Sequence, residues 1–228
     1  ENYTRSNLIE HLERYAYYGF GAVFSAGSDP EGLALEVQRT QRESDAEGAR
    51  LVFAAGMAPP GQGPNNQFLS QAIAIADETG MTVLRGVASS EDARDAVREV
   101  AAKGIPFIKI WVDDRNGQYE KLTPALYGAV IDEAHQHNLR VTAHIFALED
   151  AKGLLRAGID AFAHGIRDQD VDQEIIETIL LNPGVERIDE AFEIRFAAVF
   201  EEDLDVDVLK FHGYDKGLNG FGGYTETN

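Results

Sequence analysis

The runs Phe107-Ile-Lys109-Ile-Trp111-Val112, Arg140-Val-Thr142-Ala-His144 and Asp160-Ala-Phe162-Ala-His164 decide how this chain folds. Each is short and rich in aliphatic or aromatic residues, the composition of a buried strand. Between the first two, Thr123 is placed to cap a helix and Pro124 suits its first turn. Leu126, Val130, Ile131 and Ala134 recur at helical spacing, and Asn138 closes the end. Between the second and third, a shorter helix runs from about Leu148 to Ala157 and stops at Gly158. Strand, helix, strand, helix, strand predicts a parallel α/β sheet.

Side chains alternate along a strand. Ile108, Ile110 and Val112 therefore share one face, suited to packing under helices, and Phe107, Lys109 and Trp111 share the other. By the same alternation Val141 and Ala143 face outward, with Thr142 and His144 inward. In the third run Ala161 and Ala163 face outward, with Phe162 and His164 inward. Both histidines close their strands at the C-terminal end, the end that carries the chemistry in parallel α/β folds. A lysine on an inward face needs a partner or a function, because an unpaired buried ammonium is costly or is driven neutral. One reading is an ion pair to Asp113 or Asp114, just past the strand. The other is a metal site formed with the two histidines.

Three segments together, Ile108-Lys109-Ile110, Val141-Thr-Ala-His144 and Gly158-Ile-Asp-Ala-Phe-Ala-His164, resemble strands four to six of the amidohydrolase superfamily. The similarity is greatest to its imidazolonepropionase-like and Xaa-Pro-dipeptidase-like branch and covers roughly Thr4 to Glu174. It implies a (β/α)8 TIM-type barrel. It also implies that Lys109 is carbamylated and bridges divalent metal ions, one or two and most simply zinc, while His144 and His164 ligate the second metal. The family's eighth strand ends in a Gly-x-Asp pattern whose aspartate binds metal and moves protons. Gly213-Tyr-Asp215 fits that pattern, which makes Asp215 the candidate catalytic group and a further metal ligand; a plain Gly-x-Asp-x-Gly turn is the alternative. The implied chemistry is hydrolysis of an amide-like C–N bond in a small molecule or dipeptide-like substrate by a hydroxide that the metals acidify.

The resemblance has a gap. The family's first strand, with its His-x-His pair, has no counterpart from Glu1 onward. The single such spacing, His135 and His137, falls at a helix end, where it favours the helix dipole over a metal. The expected barrel thus lacks its first strand, and a catalytically incomplete fragment or a degenerate metal-free barrel is the competing reading. Unpaired strand edges also leave homo-oligomer formation open. An unrelated barrel for phosphorylated ligands is disfavoured, since no Gly-rich phosphate loop follows a strand.

Bulk properties narrow the partners. The chain has 228 residues and a net charge of −19, which argues against nucleic acid and anionic membranes. It has no cysteine, so a metal must rest on His, carboxylate or modified Lys. No apolar run is long enough to span a membrane, and with no signal peptide a cytoplasmic location is expected.

The remaining segments are read in order. Ser6 to Tyr18 is a helix with Leu8, Leu12 and Tyr15 on one stripe, stopped by Gly19. Gly21 to Ser25 is a strand, and Ser28-Asp29-Pro30 opens a helix towards Ala46. Arg50 to Ala54 is a strand, and Gly56 to Asn66 a Gly/Pro/Asn-rich loop over the site or a plain surface loop. Gln67 to Thr79 is a helix, and Met81 to Val87 a strand outside the main barrel. Ser89 or Ser90 caps a helix ending at Gly104. Residues 1–174 form the barrel-like part. Residues 175–228 form a divergent C-terminal part with an acidic run, Glu201 to Asp207, and a glycine-rich end.

Overall fold

The computed structural model describes residues 4–43, 48–63 and 66–181. Helices and strands alternate along them: α1 Arg5–Tyr17, β1 Ala22–Ser25, α2 Glu31–Glu43, β2 Arg50–Ala58, α3 Asn66–Thr79, β3 Leu84–Gly86, α4 Ser90–Ala102, β4 Phe107–Val112, α5 Pro124–Gln136, β5 Arg140–Ile145, α6 Leu148–Arg156, β6 Ala161–Phe162 and α7 Gln173–Leu181. All described strand pairs are parallel, in the order β1-β2-β4-β5-β6, with β3 also paired to β2. The parallel sheet curls into half a barrel.

The packing follows the period-two alternation. Ile108, Ile110, Val112, Val141 and Ala143 are fully buried, together with Val97, Val100, Val130, Ile131 and Leu154 of the covering helices. Each such valine, leucine or isoleucine side chain contributes about 1.5–3 kcal/mol on leaving water. Local signals set the helix ends. Thr4 accepts from the Asn7 amide, and Ser89 accepts from the Asp92 amide at 3.1 Å. Thr123 occupies the cap position of α5 without a capping side-chain bond; Pro124 defines that start instead. Asn138 adopts φ 56° just past α5, as a helix-terminating residue does.

Three expectations shift. Tyr15 is 47% exposed and meets Phe20 edge-on at 5.8 Å, so only Leu8 and Leu12 form the buried stripe of α1. β2 does not end at Ala54. It continues to Ala58 because its distal half has neighbours on both edges: Gly56 is opposite Leu84 of β3 on one side and Lys109 of β4 on the other. The loop expected from Gly56 therefore starts at Pro59. The strand expected over Asp160–His164 is reduced to Ala161–Phe162, which pairs only with β5 among the described residues. One further ladder bond, from the Ala163 amide to the Ala143 carbonyl at 2.8 Å, carries the chain towards His164.

β3 is tied to the helices by a buried ionic cluster. Arg85 makes a two-pronged contact with Glu31, and Lys103 reaches the same carboxylate at 2.7 Å. Burial raises the Glu31 pKa, but Arg85 and Lys103 more than offset this and hold the carboxyl below its ordinary value.

Candidate metal centre

The centre of β4 is where the sequence places its decisive residue. Lys109 is 2% exposed, and its Nζ has no hydrogen-bond partner among the described residues. Burial alone pushes its pKa from 10.5 down to about 7. Neither aspartate of the competing reading answers it. Asp113 turns to His144, with Oδ2 3.0 Å from Nε2, and also accepts from the Arg115 amide at 2.8 Å. Asp114 pairs with Lys121 at 3.3 Å and accepts from the Gly117 amide. The Trp111 ring centroid lies 5.0 Å from Nζ.

Two glycines that sequence reasoning passed over shape the pocket. Gly27, just after β1, has φ 84°, and a Cβ there would lie 2.7 Å from Lys109 Cβ and 2.9 Å from the Trp111 ring. Gly56 has the Gly27 carbonyl oxygen 2.5 Å from where its own Cβ would be. The backbone after β1 thus lies directly against the stem of Lys109, an approach that only a missing side chain permits.

His144 is the penultimate residue of β5, opposite Trp111 in register. Its ring stands edge-on to that of His164, with centroids 4.6 Å apart at 76°. Burial lowers the His144 pKa, against the pull of Asp113. His164 lies just beyond β6 with an exposed edge. Burial of the rest of its ring, and then the charges of His144, Lys109 and Arg167, push its pKa down to about 4. Both imidazoles are thereby kept neutral, the state in which a metal is bound. Thr142 is opposite Lys109 in register, and its buried Oγ1 is also without a partner among the described residues.

Among the described residues, no three His, Asp or Glu side chains are grouped to hold a metal. The donor set at this spot is two imidazoles and one orphaned lysine, which fits a divalent ion only if the lysine gains anionic oxygens. Asp113, one of the two aspartates that the ion-pair reading offered to Lys109, lies against the Nε2 of His144 instead, the arrangement in which a carboxylate orients a ligating imidazole. Side-chain alternation says nothing of where an aspartate beyond a strand turns, so the sequence carries no signal for this contact. His135 and His137 lie elsewhere, against Asp160 at 3.0 Å and Glu133 at 3.3 Å. Asp215 lies outside the described residues. A separate cleft of about 610 Å³ between α1, β1 and α3 contains none of the candidate ligands.

No family model matches the chain. An uncharacterized protein of Mycobacterium tuberculosis (strain ATCC 25618 / H37Rv) is 39% identical over 74 residues, 31% of this chain and 20% of that protein. Among solved structures, a putative prolidase from Bifidobacterium longum superposes with a TM-score of 0.56 at 23% identity, over 78% of this chain and 39% of its own. A Xaa-Pro dipeptidase with bound methionine in its active site gives 0.58 at 20% identity, over 78% and 43%. A molinate hydrolase gives 0.61 at 21% identity, over 77% and 42%. The chain thus spans about two fifths of the length of these structures. Its described part has the curled parallel α/β fold of the amidohydrolase and prolidase structures, as the strand-four to strand-six motifs led one to expect.

Proposed function

We propose that this chain carries part of a (β/α)8 barrel of the metal-dependent amidohydrolase type, acting on an amide-like C–N bond of a small or dipeptide-like substrate. The observation that carries the reading is Lys109: a buried amine with no hydrogen-bond partner among the described residues, on the strand beside the one that carries His144 near its C-terminal end. In this reading Lys109 takes up carbon dioxide as a carbamate and, with His144 and His164, holds a divalent ion, most simply zinc. Bound metal supplies Lewis acidity and an acidified water. The protein's own part is positional. Asp113 fixes the His144 ring, Gly27 and Gly56 let the chain close over the lysine stem, and Trp111 walls the pocket. From the sequence alone, Asp215 is assigned the proton transfer to the leaving nitrogen and a metal-ligand role. The neighbours, a putative prolidase, a Xaa-Pro dipeptidase and a molinate hydrolase, show only the fold, and their names are in keeping with a hydrolase reading. A cytoplasmic location and homo-oligomer formation belong to the same proposal, as does the absence of nucleic-acid and membrane partners. Among the described residues no helix is long and apolar enough to cross a membrane.

The test is turnover of Xaa-Pro dipeptides and N-acyl amino acids by zinc- and bicarbonate-treated protein. Release of the amine by wild type and its loss in Lys109→Ala supports the reading. Equal rates in the two proteins contradict it. A second reading, a catalytically incomplete piece, draws on the absence of a three-ligand group among the described residues and on the partial coverage of the neighbours. It is the outcome if metal binds without turnover.

A further inference from the structure

Thr142 is a buried polar side chain beside this centre to which the reading above gives no role. It is 5% exposed, and its Oγ1 has no hydrogen-bond partner among the described residues. A strand favours β-branched residues, but valine has nearly the same shape and brings no hydroxyl to desolvate. A buried hydroxyl left unsatisfied is destabilising. The position therefore points to a polar group that the hydroxyl meets.

Its neighbours narrow what that group is. β4 and β5 are parallel, and Thr142 is the register partner of Lys109. The two side chains therefore leave adjoining strands on the same face, with backbones about 4.8 Å apart. On the far side of each, the register partner has no polar side chain: Gly56 for Lys109 and Ala161 for Thr142. Two orphaned atoms, Nζ and Oγ1, thus belong to neighbouring side chains and do not bond each other. The aspartates past β4 are committed elsewhere, Asp113 to His144 and Asp114 to Lys121. A carbamate on Nζ answers both orphans, because it places anionic oxygens on the lysine to which a hydroxyl can donate.

We propose that Thr142 is a positioning residue for the modification of Lys109, its hydroxyl donating to one oxygen of the lysine carbamate. This rests on the hydrolase reading above and adds to it the residue that sets how readily the lysine is modified. In the step, the lone pair of neutral Nζ forms a C–N bond to the carbon of carbon dioxide. One C=O electron pair moves onto oxygen, and one Nζ proton leaves to water. The product carries one negative charge, and a hydroxyl donating to an anion makes a stronger bond than one between neutral groups. The remaining lone pairs of the two oxygens stay open to a divalent ion.

The test is carbon-13 NMR of the whole chain in metal-free buffer, titrated with carbon-13-labelled bicarbonate to half-occupancy of the carbamate resonance. Lys109→Ala identifies that resonance by its loss. Thr142→Val should need about tenfold more bicarbonate than wild type, or beyond, the fold-change of one charge-assisted hydrogen bond. Thr142→Ala should shift in the same direction. Thr142→Ser keeps the hydroxyl and should stay within about threefold of wild type. Urea unfolding separates this role from packing: the Thr142→Val midpoint should match or exceed that of wild type, because an orphaned hydroxyl is removed at nearly equal volume. A wild-type half-occupancy in Thr142→Val overturns the proposal. So does an equal loss in Thr142→Ser and Thr142→Val, which is the mark of packing. Either result leaves the hydrolase reading in place. If wild type shows no such resonance the proposal falls as well, and the turnover comparison of wild type with Lys109→Ala still decides the hydrolase reading.

Discussion

Lys109 illustrates how one side chain sets both a liability and a use. An amine that titrates near 10.5 in water is brought to about 7 by burial, with no acid to oppose the shift. The unfolded chain therefore holds a proton between about pH 7 and 10.5 that the folded chain lacks, and folding stability rises with pH across that window. Below pH 7 the buried ammonium is charged in both states and its full cost is felt. Lys109→Met removes the titrating group at similar volume. In metal-free, carbon-dioxide-free buffer, urea unfolding between pH 7 and 9 is expected to show wild type gaining stability relative to Lys109→Met. Parallel pH profiles would mean that the lysine is solvated or paired. The same shift makes the lysine a nucleophile towards carbon dioxide near neutral pH, which an ion-paired lysine is not.

At the level of elements, the approach of the β1–α2 turn to β4 and the tie between β3 and its helices are the points most open to test. Gly27→Ala places a side chain at φ 84° and 2.7 Å from Lys109 Cβ. It is expected to cost about 1–3 kcal/mol, read as a lower urea midpoint, and to displace the lysine. A neutral outcome would show that this turn yields without loss. Glu31→Ala leaves Arg85 buried and without the carboxylate it faces most closely. The expected loss is about 3–5 kcal/mol by denaturant unfolding, whereas Glu10→Ala, from the exposed Arg14 pair, should stay within about 1 kcal/mol. These features also mark how far the sequence could be read. The inward set of Lys109, Thr142 and His144 follows from period-two alternation. The extension of β2 through Gly56-Met57-Ala58 does not, because its composition signals a loop and its strand state comes from β3 and β4 alongside. The shortness of β6 has the same origin, since a strand with one partner has less to hold it. The positions of Gly27 and Asp113 were not legible at all, because they depend on what stands opposite in space.

For the whole molecule, the described residues supply one cluster of candidate ligands, and the chain covers about two fifths of the solved structures it resembles. The 228-residue chain is therefore expected to bind no more than one zinc tightly. Two tight ions with rapid turnover would require ligands outside the described set, Asp215 among them. The central claim is that Lys109, His144 and His164 form one centre through a modified lysine. The most direct test is the zinc-to-chain ratio after equilibration with bicarbonate and zinc and exhaustive dialysis, for wild type, Lys109→Ala and Lys109→Glu. Zinc retained by wild type, lost about tenfold in Lys109→Ala and partly restored by the carboxylate of Lys109→Glu is the expected result. Equal zinc in wild type and Lys109→Ala would contradict it.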